Sequence, residues 1–251
     1  MGRGGYGTVD FWDEWYAEEE HVAPYDWLLA FEDVSAALEV LLPDHDARIL
    51  VPGCGNSPFS SELFARGYRK LMNVDNCASI IDTQRDRYPM LDWRVADVRR
   101  LPAPDASVDV VLDKGLLDNL YCYADAADAA EAYASEVARV LRPGGRLVAF
   151  SCHDAAATET ALERDAWDLR VREIPNPRWP RIKIPSYQIA VADRVGGEAR
   201  NDLDALLDAA IGASAAAAPP PARLDSLDRR ASGRRHSAII AAGDAAAAAV
   251  A

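Results

Sequence analysis

The chain has 251 residues, enough for one α/β domain with a sizeable core and too few for two domains of ordinary size. Half of the residues are hydrophobic and 27% are charged, which is typical of a soluble globular protein, and no apolar run approaches the roughly 20 residues of a membrane helix. The formal net charge of −13 argues against a nucleic-acid partner, because such proteins usually present a basic face. It favours a basic protein or a small cationic ligand.

The cysteines and histidines do not suggest a metal site. There are four of each, with no C-x-x-C pair and no two histidines at the i, i+4 spacing of a helical metal site. We therefore interpret the cysteines as reduced, mostly buried residues. The N-terminus also lacks the apolar stretch of a secretory signal, so the sequence predicts a cytoplasmic protein without a metal.

The first predicted helix runs from Trp27 to Leu42, where apolar residues recur three and four positions apart, and Pro43 ends it. Short apolar segments typical of strands then alternate with helices predicted at 57–66, 78–87 and 125–141. The predicted strands cover residues 48–51, 71–75, 93–96, 108–112, 146–151, 169–174 and 187–192. This alternation predicts βαβ units on a parallel sheet.

The last two predicted strands are joined only by the proline-rich segment Pro175–Pro185. A parallel pair needs a long crossover, so these strands are expected to pair antiparallel at one edge. The predicted fold class is thus α/β, a Rossmann-like doubly wound seven-stranded sheet that is mostly parallel with an antiparallel final strand pair.

The composition changes after Gly197. Blocks of alanine and proline with few large apolar side chains follow, and such a segment cannot bury enough surface to offset its ordering entropy. We expect a domain at 1–197 and a low-complexity, disordered tail at 198–251. Within that tail, the leucines and isoleucine between Leu203 and Ile211 predict one short helix.

A glycine turn follows the first predicted strand and precedes a helix. Gly53 and Gly55 allow the backbone to turn tightly and to approach a ligand without a Cβ in the way. A dinucleotide fingerprint requires a third glycine at the position that Pro58 occupies. Pro58 removes an amide from the helix N-terminus, which suits a nucleoside ligand without a pyrophosphate, such as S-adenosylmethionine.

Two acidic residues end the next two predicted strands. Asp75 follows the second strand about 20 residues after Gly55, where a carboxylate can accept both ribose hydroxyls. Asp97 ends the third strand, from which it can reach an adenine amine, while Val98 offers an amide and an apolar contact. For both acids the alternative interpretation is a turn former at the end of a strand.

Together with these residues, several further segments make the sequence similar to a known family. It resembles the seven-strand, class I lysine methyltransferases that act on translation elongation factor 1-alpha and their methyltransferase-like relatives. The resemblance extends over about residues 6–193. It rests on segments 11–16, 24–27, 51–57 and 112–118.

The resemblance implies that S-adenosylmethionine is the cofactor and that a protein lysine, such as one of elongation factor 1-alpha, is the acceptor. It implies aromatic cofactor contacts from the N-terminal segment and a further cofactor-site residue after the fourth strand, alongside the contacts derived above. The predicted cofactor-binding residues are Trp12, Tyr16, Trp27, Gly53, Asp75, Asn76, Asp97, Val98 and Lys114. Leu116 and Asn119 depart from the pattern of the family.

The acceptor side is less defined by sequence. Asp113 and Asp118 follow the fourth strand and are expected at the mouth of the site, as orienting groups and not as obligatory bases; no catalytic base and no oligomeric state is assigned. Three alternatives remain open at this point: a methyltransferase for a small molecule or another protein, a nicotinamide-dependent oxidoreductase, and a non-catalytic scaffold of the same fold.

Overall fold

A computed structural model describes residues 5–18, 21, 23–177, 184–196 and 202–217. Their centre is a sheet of seven strands in the order β3-β2-β1-β4-β5-β7-β6. The strands are β1 Arg48–Pro52, β2 Lys70–Asp75, β3 Asp92–Val95, β4 Val108–Lys114, β5 Leu141–Ser151, β6 Trp167–Pro175 and β7 Ser186–Arg194. All seven predicted strands are present, and the predicted fold class is confirmed.

Helices cover both faces of the sheet. They are α1 Val9–Ala17, α2 Phe31–Leu41, α3 Phe59–Ala65, α4 Ala78–Arg87, α5 Leu116–Leu120, α6 Ala126–Val140, α7 Ala155–Leu162 and α8 Leu203–Ala217. None of the helices in these residues is long and apolar enough to cross a membrane.

The antiparallel part of the sheet is more extensive than predicted. Strand β7 pairs antiparallel with β6 along its whole length and also pairs antiparallel with β5. It therefore lies between the two, and β6 is the strand at the edge. The central position explains why the side chains of β7 from Tyr187 to Ala192 are all buried.

Successive side chains of a strand point to opposite faces of the sheet, so the hydrophobic core consists of two layers, one on each face. On β1, Ile49 and Val51 pack with α2, α3 and α8, whereas Leu50 faces α5, α6 and α7. The glycine turn after β1 therefore lies where the two layers meet at the carboxyl end of the sheet.

Helix α2 begins four residues later than the predicted start at Trp27. Leu28 adopts a left-handed conformation with φ of 62°, which is incompatible with a right-handed helix. The helix begins at Phe31, and the Asp33 carboxylate accepts the backbone N–H of Ala30 at its N-terminus (2.8 Å). Trp27 therefore lies in the irregular segment before α2 and not on a helix.

The predicted short helix beyond Gly197 is present as α8, and it belongs to the folded domain. Leu203, Leu207 and Ala210 are buried in the same core layer as α2. The packed domain thus continues past residue 197, because a helix with an apolar stripe finds an apolar surface to cover. The low-complexity stretch 218–251 lies outside the described residues.

Candidate cofactor and acceptor cavity

A cavity opens at the carboxyl ends of β1, β2 and β4. The connections from β1 and β4 leave toward opposite faces of the sheet, and such a switch point is where open α/β sheets bind ligands. The space that no atom fills, including the opening to solvent, is about 1290 Å³. Eight of the nine predicted cofactor residues line it: Trp12, Tyr16, Trp27, Gly53, Asp75, Asn76, Val98 and Lys114.

The glycine turn forms the floor of the cavity. Gly53 and Gly55 have φ angles of 61° and 49°, which side-chain-bearing residues rarely adopt. A Cβ on Gly53 would lie 2.8 Å from a methyl carbon of Leu116, and one on Gly55 would lie 2.8 Å from the hydroxyl of Tyr16. Both conformation and space therefore require glycine here.

Asp75 closes the turn from the neighbouring strand. Its Oδ2 accepts the N–H of Gly55 (2.9 Å) and its Oδ1 accepts the N–H of Cys77 (3.0 Å). Burial raises the pKa of this carboxyl group, while the backbone donors act in the opposite direction. Each carboxylate oxygen can accept a further bond, so Asp75 can receive hydroxyl donors from a ribose in the cavity.

The N-terminal segment forms an aromatic wall. The rings of Trp12 and Tyr16 stack with centroids 5.8 Å apart, and Trp27 meets Trp12 edge-on at 6.1 Å. The indole N–H of Trp12 donates to the carbonyl of Tyr6 (2.9 Å), and the amide of Asn119 donates to the same carbonyl (2.8 Å). These bonds tie the wall to α5, across the cavity.

Lys114 lies inside this wall as part of an ion pair. Its Nζ is 3.1 Å from the carboxylate of Asp26 and donates to the carbonyl of Trp27 (3.1 Å). The hydroxyl of Ser57 donates to the same oxygen of Asp26 (2.6 Å). Lys114 thus fixes the segment that carries Trp27, a positioning contribution that sequence alone did not indicate.

Asp97 is the predicted cofactor residue that the structure does not bring to the cavity. It is exposed, and its carboxylate caps the short 3-10 turn Val98–Arg100 and binds the guanidinium of Arg99 (2.7 Å). That hydrogen bond lowers its pKa. This geometry of Asp97 corresponds to the alternative interpretation, a turn former at the end of a strand. Val98, in contrast, does line the cavity.

Two acids near the end of β4, Asp113 within the strand and Asp118 in α5, lie in different surroundings. Asp113 does not lie at the mouth of the site: it is fully buried, accepting the N–H of Leu116 (2.9 Å) and the hydroxyl of Tyr133 (3.0 Å). Burial raises its pKa to about 7. Asp118 lines the cavity, as expected.

Several cavity residues were not predicted. The cavity is also lined by Tyr6, Asn119, Cys122, Tyr123, Cys152 and Ile184. They come from four separate stretches of chain, so no local spacing reveals them. Two of them did have a sequence signal: Asn119 and Cys122 follow Asp118 by one and four positions, so they could have been expected close to it.

Comparison with known proteins agrees with this geometry. Residues 50–149, which span β1 to most of β5, match the family model of a methyltransferase domain. A putative methyltransferase from Haloferax volcanii, solved with its Trm112 activator, superposes with a TM-score of 0.55 at 16% identity, over 74% of this chain and 98% of that one. The fold is Rossmann-like, and residues 50–149 match a methyltransferase domain, which is the class of protein that the chain is similar to.

Within that class, the chain is similar to methyltransferases of elongation factor 1-alpha. It is 37% identical over 157 residues to EEF1A lysine methyltransferase 4 of Mus musculus, a match covering 58% of this chain and 61% of the relative. It is 29% identical over 197 residues to the eEF1A lysine and N-terminal methyltransferase of Homo sapiens, covering 72% of this chain and 28% of the relative. The match thus spans about three fifths of the first relative's length and less than a third of the second's.

Proposed function

We propose that this protein transfers a methyl group from S-adenosylmethionine to a lysine side chain of translation elongation factor 1-alpha. The observation that carries the proposal is the 37% identity to EEF1A lysine methyltransferase 4 of Mus musculus. It is supported by a cavity at the switch point of the sheet, lined by an acid, a glycine turn and an aromatic wall.

The residues present fit this cofactor. Asp75 offers oxygens for the ribose hydroxyls, and Val98 offers an apolar contact for the adenine. The ring faces of Trp12 and Tyr16 attract a sulfonium by about 0.5–2 kcal/mol. Pro58, which directly precedes α3, gives no N–H to a phosphate, and S-adenosylmethionine has none.

The chemistry requires a neutral amine. S-adenosylmethionine would supply the methyl group when bound: the amine lone pair would form the N–C bond while the electron pair of the broken S–C bond stays on sulfur. Removing the proton from an ordinary lysine costs roughly 4 kcal/mol at pH 7.5. Leu28, Leu116 and Ile184 give the cavity apolar walls, which favour the neutral amine by desolvation.

The test is to incubate the protein with purified elongation factor 1-alpha and isotopically labelled methyl donor, then locate the label by mass spectrometry. We expect it on a lysine, with a rate that rises from about pH 7 to 9 as the neutral amine fraction grows. The chain carries a net charge of −13, which attracts a basic protein surface, so with a basic partner the rate should also fall with added salt. Label on a carboxylate, a glutamine or only a small metabolite would contradict the lysine assignment.

A second candidate is the α-amino group of the same protein. It is favoured by the name of the human relative, which includes N-terminal methylation. The reference pKa of an α-amine is about 7.7–8.0, so its methylation should level off near pH 8.5, whereas lysine methylation continues to rise. Peptide mapping of the labelled product separates the two directly.

The same proposal includes the cellular compartment and the type of partner. The described cysteines are free, which fits a reducing compartment such as the cytoplasm. The acidic charge supports a protein partner over nucleic acid.

A further inference from the structure

Asp118 is held rigidly in the lining of the cavity. Its side chain is 5% exposed, and its Oδ1 accepts three donors from the end of β5. These are the hydroxyl of Ser151 (2.9 Å), the N–H of Cys152 (2.8 Å) and the thiol of Cys152 (3.1 Å). One carboxylate oxygen thus fixes the orientation of the other.

The other oxygen, Oδ2, is buried and has no hydrogen-bond partner among the described residues. It lies on the side of Gly115, 3.9 Å from where a Cβ of that glycine would stand, and both residues line the cavity. Buried carboxylate oxygens are almost always paired, because losing hydration without a replacement donor is unfavourable. Because Asp118 lines the cavity, a donor on a ligand bound there is a candidate partner for this oriented, unpaired oxygen.

The surrounding charges indicate what kind of donor. Within the described residues, the basic group nearest to Asp118 is His153, whose Nε2 is 3.8 Å from Oδ1 and not at Oδ2. Lys114 is already paired with Asp26. The titratable groups around Asp118 are Asp113, Tyr121, Cys122, Cys152 and His153. None of them places a permanent cation at Oδ2, so a ligand with both N–H donors and positive charge fits best.

We propose that Oδ2 of Asp118 binds the amino group of the methyl acceptor and sets its position relative to the cofactor. This inference deepens the proposed function, because it identifies the group that receives an alkylamine in the same cavity. The carboxylate fixes the nitrogen through one N–H while the other positions stay available for deprotonation and attack. A carboxylate at this distance also raises the pKa of the bound amine, which the apolar walls counteract.

The test uses a probe that does not depend on the identity of the acceptor protein. The full chain, loaded with S-adenosylhomocysteine, is titrated with n-butylammonium, a mimic of the lysine side chain, by ligand-observed NMR. Asp118→Asn is nearly isosteric: its amide oxygen can keep the Ser151 and Cys152 bonds, but an NH₂ replaces Oδ2 and cannot accept. We expect wild-type binding and a loss of about tenfold or more in Asp118→Asn.

Controls separate this contribution from general effects. Asp154→Asn removes the same charge from an exposed helix cap nearby and should change the affinity less than twofold. The affinities for S-adenosylmethionine and S-adenosylhomocysteine should be unchanged in both variants. If Asp118→Asn does not fold, n-butyltrimethylammonium provides the test on the wild type, since it has the charge but no N–H and should bind at least tenfold more weakly than n-butylammonium.

The inference is overturned if the wild type does not bind n-butylammonium or if Asp118→Asn binds it equally well. It is also overturned if the variant loses affinity for S-adenosylmethionine but not for S-adenosylhomocysteine, because Oδ2 would then face the sulfonium. In a methylation assay, Asp118→Asn should lower kcat/KM. It should also move the rising limb of the pH profile of kcat to lower pH, because the bound amine loses the carboxylate that raises its pKa; a purely structural residue would not cause this shift. Absence of lysine methylation by the wild type would reject the proposed function, while the butylammonium result still decides the assignment of Asp118.

Discussion

Replacing Lys114 by methionine should destabilise the domain markedly, because it leaves Asp26 as a buried charge without its cation. The side chains of Lys114 and Asp26 are 7% and 12% exposed, so solvent screens the pair only weakly. Breaking a buried pair by removing one partner costs about 3–5 kcal/mol. The hydroxyl of Ser57 still donates to Asp26, so we expect the lower end, about 3 kcal/mol.

For a domain of this size, 3 kcal/mol corresponds to a decrease in Tm of about 6–12 °C. The assay is thermal unfolding followed by circular dichroism, with Lys114→Met compared with the double variant Lys114→Met/Asp26→Asn. The double variant removes both charges and keeps the Ser57 bond, so it should recover at least half of the lost stability. A single variant as stable as the wild type, or a double variant no better than the single, would refute this reasoning.

Three further predictions concern the cofactor site, the chain end and pH. Asp75→Ala should weaken S-adenosylmethionine binding by roughly 10- to 150-fold in calorimetric titration, since it removes acceptors for the ribose; an unchanged Kd in a folded variant would make Asp75 a turn residue only. Deleting residues 198–251 should lower the Tm because Leu203 and Leu207 leave the core, whereas deleting 218–251 should not; equal Tm values would contradict this. The pKa of Asp113 is raised from 3.8 to about 7, so its contribution to the stability of the fold is present below pH 4 and is lost as the pH rises through 7. Asp113→Asn should therefore flatten the decline of the Tm with pH. An unaltered slope of Tm against pH from pH 5 to 8 would contradict this.

The sheet could be predicted from sequence because its signals are local. Each strand is a short apolar segment, and Pro175–Pro185 is too short for a parallel crossover, which predicted the antiparallel pair. The insertion of β7 between β5 and β6 depends on side-chain packing between distant segments, so no local pattern predicted it. Helix α8 illustrates the same limit: its composition is that of a tail, but the apolar face of α2 gives it a surface to cover.

The cavity lining next to β1 and β2 was predictable for a similar reason. Glycine at positive φ and an acid at a strand end are constraints that a few adjacent residues express, as Gly53 and Asp75 do. Two acids, Asp97 and Asp113, lie outside the cavity lining, and their side-chain directions depend on Arg99 and Tyr133. Which way a carboxylate points at the end of a strand is decided by such distant or flexible partners.

The aromatic wall makes the first described residues of the chain part of the binding site. Gly7 approaches the backbone of Cys122 so closely that a Cβ there would stand 2.3 Å from its carbonyl oxygen, and Tyr6 is tied to Asn119. Part of the cavity wall therefore depends on a short N-terminal segment that is held by a close backbone contact and a side-chain hydrogen bond, so removal of residues 5–18 would take away most of the aromatic wall without removing any strand of the sheet.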